Sequence, residues 1–216
     1  MDGYVVRVMN DKRIKKISHR MSYVLRHGAG ELGVPMDPAG WVLAVDLLHH
    51  VRADLAELRN VVEHNNKARF EVDGEHIRAS QGHSLEGMPV TLKALERSWD
   101  RYEGDGNVWH GTNLQAFGAI VDEGIVAGRR SHVHLAAELD STVGKRANVA
   151  VMLEIAVSDL RTRGYELFVS SNGVILTRYV PPSCIVDLRA MTRRTRDQEA
   201  RLRGRLPMAR ADRATP

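Results

Sequence analysis

Arginine and histidine side chains recur at three places where a predicted helix, hairpin or strand begins or ends. They are Arg26-His27, Arg69 and Arg129-Arg130. Arginine presents a planar fork of donors that fits phosphate, and it keeps its charge. Histidine can move a proton near neutral pH. These residue types indicate a site that binds a phosphate group, although their spacing alone favours unrelated surface charges.

Three histidines leave a metal site open as an alternative. His132 and His134 would share one face of a strand, because side chains alternate along it. With His110 they could form a three-histidine zinc site. Arg129 and Arg130 would repel a dication, so an anion is favoured over a metal ion. The sequence has no Rossmann fingerprint and no Walker loop, so a nucleotide would have to be held differently.

The first part of the chain predicts three helices followed by a hairpin. Residues 11–27 place apolar side chains at helical spacing with Lys and Arg opposite, and Gly28 ends the run. Residues 42–51 predict a second helix, and Asp54 can cap a third. Asp73-Gly74 between two alternating runs is typical of a hairpin turn. This order is that of a winged-helix unit.

The second part of the chain predicts a strand-rich lobe beginning at residue 107. Residues 113–124 indicate a helix that Asn113 caps and Gly124 ends. Trp109-His110-Gly111-Thr112 precedes it as a strand, and a second strand follows near residues 130–135. Short β-like runs lie at residues 149–157, 167–169, 174–177 and 185–188. Residues 86–106 predict a linker, and residues 191–216 predict an Arg-rich, flexible tail that is either disordered or loosely helical.

Composition and charge narrow the class of protein. With 216 residues and 43% hydrophobic content, the chain can bury a core in one domain or two lobes. Its one cysteine, Cys184, excludes an intrachain disulfide and is expected in the core. With no signal peptide and no long apolar run, we expect a soluble, cytoplasmic protein.

Positive charge is concentrated at the two ends of the chain. Residues 1–27 carry seven Lys and Arg against two acids, and residues 189–216 carry nine Arg against three acids. Such ends suit a polyanion such as nucleic acid, and equally a merely solvated surface.

Seven segments, in order, resemble the RNA 2′-phosphotransferase family, NAD-dependent enzymes that remove a 2′-phosphate from RNA, as at a tRNA splice junction. The segments are Leu25-Arg26-His27, Gly40-Trp41, Lys67-Ala68-Arg69-Phe70, Ile77-Arg78-Ala79-Ser80-Gln81-Gly82-His83-Ser84, His110-Gly111-Thr112, Gly128-Arg129-Arg130-Ser131-His132-Val133-His134-Leu135 and Asn172-Gly173-Val174-Ile175-Leu176-Thr177.

The resemblance implies an α+β fold. An N-terminal winged-helix, RNA-binding lobe (1–85) would be followed by a linker (86–106) and a strand-rich, NAD-binding ADP-ribosyltransferase-like lobe (107–190). The family's catalytic set maps onto Arg26, His27, Arg69 and Arg130, which would also contact the RNA phosphate together with His83. The NAD pocket maps onto His110, Gly111, Thr112, His132, His134, Asn172, Gly173 and Val174.

The implied reaction transfers an internal 2′-phosphate to NAD through an ADP-ribosylated 2′-phosphate intermediate. Its products are 2′-OH RNA, nicotinamide and ADP-ribose 1″,2″-cyclic phosphate. NAD is consumed as a co-substrate and no metal is required. The expected partners are NAD and a 2′-phosphorylated RNA such as tRNA, bound by a monomer that does not associate with membranes. The cationic residues between Lys12 and Arg20 become a candidate RNA-facing stripe.

Two other functions stay open at this point. One is an ADP-ribosyltransferase that caps phosphorylated nucleic-acid ends, which would share the NAD pocket. The other is a non-catalytic winged-helix regulator that senses a nucleotide. Product analysis would distinguish the first from phosphate removal, and turnover would eliminate the second.

Overall fold

The structure, a computed structural model, describes residues 10–65, 67–141 and 149–207. Helices are mixed with several small antiparallel sheets, which confirms the predicted mixture of α and β structure. The chain divides between Leu95 and Glu96 into two compact units, called unit one and unit two below. Within the described ranges, no helix is long and apolar enough to cross a membrane.

Unit one begins with helix α1, Asp11–Tyr23, which is capped by the side chain of Asn10. Ile17 and Met21 are buried, as the helical spacing of apolar residues predicts. The chain then continues as a π-helical turn, Val24–Gly28. The predicted helix over 11–27 is therefore present, but its last turn is wider than an α-helix.

Two further helices and a three-stranded sheet complete unit one. They are β1 Val42–Leu43, α2 Ala44–Val51, α3 Leu55–Glu63, β2 Phe70–Asp73 and β3 His76–Ala79, in the sheet order β1-β3-β2. Asp54 caps α3 in a capping box with Glu57. The predicted hairpin at Asp73-Gly74 is confirmed. The predicted helix over 42–51 begins two residues late, because Val42 and Leu43 pair with Ile77 and His76 in the sheet.

The boundary between the units lies within α4, Leu92–Arg97. Unit two then contains β4 Asp100–Arg101, β5 Val108–Thr112, α5 Leu114–Glu123, β6 Ile125–Val126 and β7 Val133–Leu135. Asn113 caps α5, Gly124 ends it at φ +86°, and Phe117, Ile120 and Val121 are buried. The predicted strand, helix and second strand are thus present in that order, and the segment predicted as a loop contains the short strand β6.

The remainder of unit two supplies β8 Val151–Ile155, α6 Val157–Thr162, β9 Phe168–Val169, β10 Ile175–Thr177, β11 Tyr179–Val180 and β12 Ile185–Ala190. Its sheets have the orders β4-β9-β10-β7, β12-β8-β5 and β11-β6. A bridge between Trp109 and Ala136 connects the edges of the two larger sheets. Cys184 is buried in the core beneath them, as expected from the sequence.

The Arg-rich tail differs from the sequence prediction. Residues 193–196 and 199–203 form helices α7 and α8, and Leu202 and Leu206 are buried in the core of unit two. Arg203 also donates to Asp187, with 2.6 Å between Nε and Oδ1. This part of the tail is therefore anchored to unit two through Leu202 and Leu206, whereas the sequence predicted a flexible or loosely helical segment. Residues 208–216 lie outside the described residues.

Candidate functional site

Arg26 and His27 lie in the π-helical turn at the end of α1. The N–H of Val24 still donates to the carbonyls of Arg20 and Met21, so α-helical hydrogen bonding continues up to the residue where the wider turn begins. Such turns are rare in proteins and are often found at functional sites. Arg26 is half-buried and His27 is exposed. The sequence predicted the helix but carries no pattern that signals the wider turn.

A single loop, residues 80–84, connects this turn to Arg69. The N–H of Ser84 donates to the carbonyl of Arg26 at 2.8 Å, and the N–H of Ser80 donates to the carbonyl of Arg69 at 2.9 Å. Five residues of extended chain place these two anchor points at most about 15 Å apart. Unit one therefore anchors Arg26 and Arg69 at the two ends of one short loop, with His27 next to Arg26.

The backbone before Arg69 is held in an unfavourable conformation. Ala68 has φ +41°, a left-handed conformation that costs a non-glycine residue about 1–2 kcal/mol. The hydroxyl of Ser80 donates to the carbonyl of Ala68 at 2.9 Å, and Arg69 Nη1 lies 3.3 Å from Asn65 Oδ1. Residues held in such conformations cluster at functional sites.

His83 belongs to the loop over residues 80–84, whereas His27 contacts this loop from the π-helical turn. Nδ1 of His27 lies 2.9 Å from Oγ of Ser84. His83 is fully buried and packs against Gly40, where an added Cβ would lie 2.8 Å from His83 Nε2. Gly40 also has φ +90°. Both this backbone conformation and the close approach of His83 therefore require a glycine at this position. The burial of His83 favours a structural role, in which it holds the loop, rather than the predicted contact with the RNA phosphate.

Unit two brings Arg130, His110 and His134 together. His110 Nδ1 lies 3.0 Å from the carbonyl of His134, so this ring nitrogen carries the proton. Arg130 Nη1 lies 3.3 Å from His134 Nδ1. Because arginine can only donate, His134 accepts at Nδ1 and is neutral in this arrangement. The exposed Arg130 is therefore held beside His134, whose carbonyl accepts from His110.

Gly111 and Thr112 are buried near these histidines on β5. A Cβ added to Gly111 would lie 2.7 Å from Cγ2 of Val149. The glycine of the predicted His-Gly-Thr motif is thus required by close packing within unit two.

The predicted Asn172-Gly173-Val174 segment forms a tight turn before β10. Gly173 adopts φ +78°, and its N–H donates to the carbonyl of Ser170 at 2.8 Å. β10 pairs with β7, with Leu176 opposite His134. His110, His134 and this turn therefore belong to three neighbouring strands, β5, β7 and β10.

His132 does not share the surroundings of His134. It precedes β7, is fully buried, and packs edge-on against Trp99 at 5.0 Å between ring centroids. Its Nε2 lies 3.0 Å from Glu96 Oε1, and its Nδ1 lies 3.0 Å from Ser131 Oγ. A side chain without exposed surface is unsuited to the predicted contact with NAD, and a role in packing is favoured.

Glu96 and Arg178 complete the surroundings of His132. Arg178 donates to both carboxylate oxygens of Glu96, at 2.6 and 2.7 Å. Burial lowers the pKa of His132, against the opposing effect of Glu96. Burial also acts to raise the pKa of Glu96, but the hydrogen bonds from Arg178 and His132 outweigh it and lower that pKa. Sequence analysis missed both partners, which lie 82 residues apart.

In the described part of the chain, no group of three or more His, Cys, Asp or Glu side chains is arranged to hold a metal ion. Ring nitrogens of two of the three histidines considered for zinc face other partners. His132 Nε2 faces Glu96, and His110 Nδ1 faces a carbonyl.

Each unit thus places an arginine beside a histidine, Arg26 and His27 in the π-helical turn of unit one and Arg130 and His134 before and within β7 of unit two. Guanidinium groups beside histidines are suited to binding and reacting a phosphate group. Such side chains on a mixed α/β fold are typical of a protein that binds phosphate groups.

The chain belongs to the RNA 2′-phosphotransferase, Tpt1/KptA family, whose model matches residues 12–179. This range contains all seven segments on which the resemblance rested, so the predicted family is confirmed. A protein of this family is an enzyme, a phosphotransferase that acts on RNA and removes a 2′-phosphate.

Three relatives illustrate the match, each called a probable RNA 2′-phosphotransferase. That of Rhizobium rhizogenes is 36% identical over 173 residues, which are 77% of this chain and 89% of the relative. That of Pseudomonas syringae pv. tomato is 36% identical over 183 residues, 80% and 94% of the two chains. That of Herpetosiphon aurantiacus is 36% identical over 184 residues, 81% and 97% of the two chains.

Proposed function

We propose that this protein transfers an internal 2′-phosphate of RNA to NAD. The products are RNA with a free 2′-hydroxyl, nicotinamide and ADP-ribose 1″,2″-cyclic phosphate. The observation that carries the proposal is the loop over residues 80–84, which hydrogen-bonds both Arg26 and Arg69 and reaches His27 through Ser84. Family membership supports the 2′-phosphate as the group that these side chains bind.

We assign RNA binding to a winged-helix lobe within unit one. The order α1, α2, α3 and then the β2–β3 hairpin supports this assignment. Unit two would be an ADP-ribosyltransferase-like lobe, in keeping with its many short strands. The lobe limits 1–85 and 107–190, the tRNA substrate, the monomeric state and the cytoplasmic location stay predictions.

NAD fits the groups that unit two gathers on neighbouring strands. His110, His134, Thr112 and the Asn172-Gly173-Val174 turn would hold it. Among the described residues, apart from its two chain neighbours, none places a heavy atom within 4 Å of where a Cβ of Gly173 would stand, which leaves room for a ligand at its backbone. When bound, NAD supplies a ribose carbon, C1″, that can be attacked while nicotinamide leaves.

In the first step, Arg26, Arg69 and Arg130 bind and orient the 2′-phosphate. An oxygen of this phosphate forms a bond to C1″ as the bond from C1″ to nicotinamide breaks. Phosphate is already an anionic nucleophile, so no base is needed and positioning supplies the catalysis. The result is RNA whose 2′-phosphate carries ADP-ribose.

In the second step, the ribose O2″ attacks phosphorus and the RNA 2′-oxygen leaves. The same three arginines stabilise the charge that grows on the phosphoryl oxygens. O2″ loses a proton and the departing 2′-oxygen gains one. We assign this transfer to His27, because it is the member of the set that can exchange a proton near neutral pH. Ser84 holds its ring through Nδ1.

The test uses the full chain, a 2′-phosphorylated oligoribonucleotide labelled on that phosphate, and NAD. We expect NAD-dependent release of the label from RNA with equimolar formation of nicotinamide. An end product that keeps ADP-ribose on RNA would show a capping transferase instead. An absence of turnover with NAD would reject the proposal in favour of a regulator.

A further inference from the structure

The solvent-facing side of α1 forms a cationic stripe that ends at an aromatic ring. Lys12, Lys15, Lys16, His19 and Tyr23 are exposed, and we call them the α1 track. At 3.6 residues per turn they occupy about 100° of the helix circumference, opposite the buried Met21. The track is about 17 Å long from Lys12 to Tyr23.

Two other cations of α1 are used inside unit one. Arg13 pairs with Glu57, with 2.7 Å between Nη2 and Oε2, and also donates to the carbonyl of Arg52. Arg20 Nη1 lies 3.3 Å from the carbonyl of Val51. Both flank the track rather than lie in it. The stripe predicted between Lys12 and Arg20 is therefore narrower and consists of three lysines and a histidine.

Tyr23 places an aromatic surface beside His27. Tyr23 is 49% exposed, and the centroid of its ring lies 6.5 Å from that of the His27 imidazole. Cε1 of Tyr23 would be 2.7 Å from a Cβ on Gly28, so the ring packs closely on that backbone. The hydroxyl lies 3.4 Å from Glu31 Oε2. A ring fixed in this way offers a face on which a base can stack.

We propose that the α1 track binds the single-stranded RNA that flanks the 2′-phosphate. The lysines contact backbone phosphates, and Tyr23 stacks on a base near the modified nucleotide. This inference rests on the proposed function, because that function places the 2′-phosphate at His27. Charge supports RNA as the occupant, since Asp11 is the one acid among residues 11–27. The track has no aliphatic side chain, which does not favour a membrane surface.

The first test measures binding at several salt concentrations, using a 2′-phosphorylated RNA of about twelve nucleotides. Lys12→Ala combined with Lys16→Ala removes two track cations spaced four residues apart. We expect the slope of log K against log salt to become shallower by about 1.4, or about 0.7 for each lost contact. The matched control is Lys93→Ala with Arg97→Ala, which removes two exposed cations at the same spacing from α4.

The second test separates stacking from other roles of Tyr23. Tyr23→Ala should weaken binding of the same RNA about 5- to 150-fold, while Tyr23→Phe should keep most of the affinity. A 2′-phosphorylated dinucleotide is too short to contact the whole α1 track. The ratio of the affinity for the longer RNA to that for the dinucleotide should therefore be smaller in the track variants than in the wild type. Circular dichroism of each variant checks that α1 is folded.

Equal salt slopes for the α1 and α4 double variants would overturn the proposal. So would an unchanged advantage of long over short RNA in the track variants. Tight, salt-sensitive binding of an acidic protein in place of RNA would reassign the surface. Failure of the proposed function appears separately, as wild-type protein that binds RNA through the track without NAD-dependent release of phosphate.

Discussion

Nδ1 of His27 lies 2.9 Å from Oγ of Ser84, whose N–H in turn donates to the carbonyl of Arg26. One serine therefore contacts two adjacent residues of the proposed catalytic set. Its backbone fixes the π-helical turn and its hydroxyl fixes the imidazole. We interpret this pair as the device that aims His27 for proton transfer.

Ser84→Ala should slow the second step more than the first. Loss of one neutral hydrogen bond is worth about 0.5–1.5 kcal/mol, or a two- to tenfold lower rate. His27→Ala should show the same effect more strongly, so that ADP-ribosylated RNA accumulates. Chromatography of labelled RNA during turnover measures this. Ser84→Thr, which keeps a hydroxyl, should restore the rate, and equal slowing of both steps without an intermediate would exclude the role of His27.

Removal of either Arg69 or Arg130 should reduce turnover more than tenfold. Each substitution to alanine removes a charge-assisted contact to phosphate worth about 1.5–3 kcal/mol. Arg129→Ala is the matched control for Arg130→Ala, because the two exposed arginines are adjacent. Steady-state rates with saturating NAD provide the comparison. Near-normal turnover of either Arg69→Ala or Arg130→Ala would show that its assignment is wrong.

Glu96→Gln should destabilise unit two in a pH-dependent way. The pKa of Glu96 is lowered in the folded protein. The stability that this carboxylate contributes is therefore present above the ordinary pKa of 4.5 and is lost as the pH falls below it. The pKa of His132 is also lowered, so the unfolded chain binds its proton first as pH falls through 6.5. Wild-type stability should therefore decrease on acidification from pH 7.

Urea unfolding between about pH 4 and pH 8 tests this expectation. The Glu96→Gln variant should be less stable than wild type by about 1–3 kcal/mol at pH 7. As the pH falls, the free energy of unfolding of the variant should still decrease near pH 6.5. Below about pH 5 it should decrease much less than that of the wild type. Glu166→Gln is the control, since its pair with Arg101 is exposed and worth about 0–1 kcal/mol. Similar behaviour of the two variants would contradict the importance of the buried pair.

Gly40→Ala should cost more stability than Gly33→Ala. Both glycines have positive φ, at +90° and +67°, so alanine is strained at each by about 1–2 kcal/mol. Only at Gly40 does the added Cβ also meet a fully buried side chain, His83. The difference between the two unfolding free energies measures that contact. Equal losses would mean that His83 can move aside freely.

Local signals predicted much of the secondary structure. Asn113 and Gly124 delimit α5 because a capping side chain and a left-handed glycine act on their immediate neighbours. Asp73-Gly74 placed the hairpin for the same reason. The Arg-His, Arg and His-Gly-Thr positions were also recognisable, since motif order along the chain survives without knowledge of the fold.

What the sequence could not provide depends on contacts between distant residues. The π-helical turn at Arg26-His27 has no known residue pattern. The environment of His132 is set by Glu96 and Arg178, which alternation along a strand cannot reveal. The anchoring of α8 depends on Leu202 and Leu206 meeting a core formed by other strands. In each case tertiary packing, rather than local preference, decided the outcome.

The proposed mechanism requires that Arg69 and Arg130 bind the same phosphate group of the RNA. A double-mutant cycle on kcat/KM for the 2′-phosphorylated RNA tests this most directly. If the claim holds, the double variant Arg69→Ala/Arg130→Ala loses less than the product of the two single losses, by a factor of at least about five. If the loss in kcat/KM of the double variant equals the product of the two single losses to within a factor of about two, the result would contradict a shared phosphate.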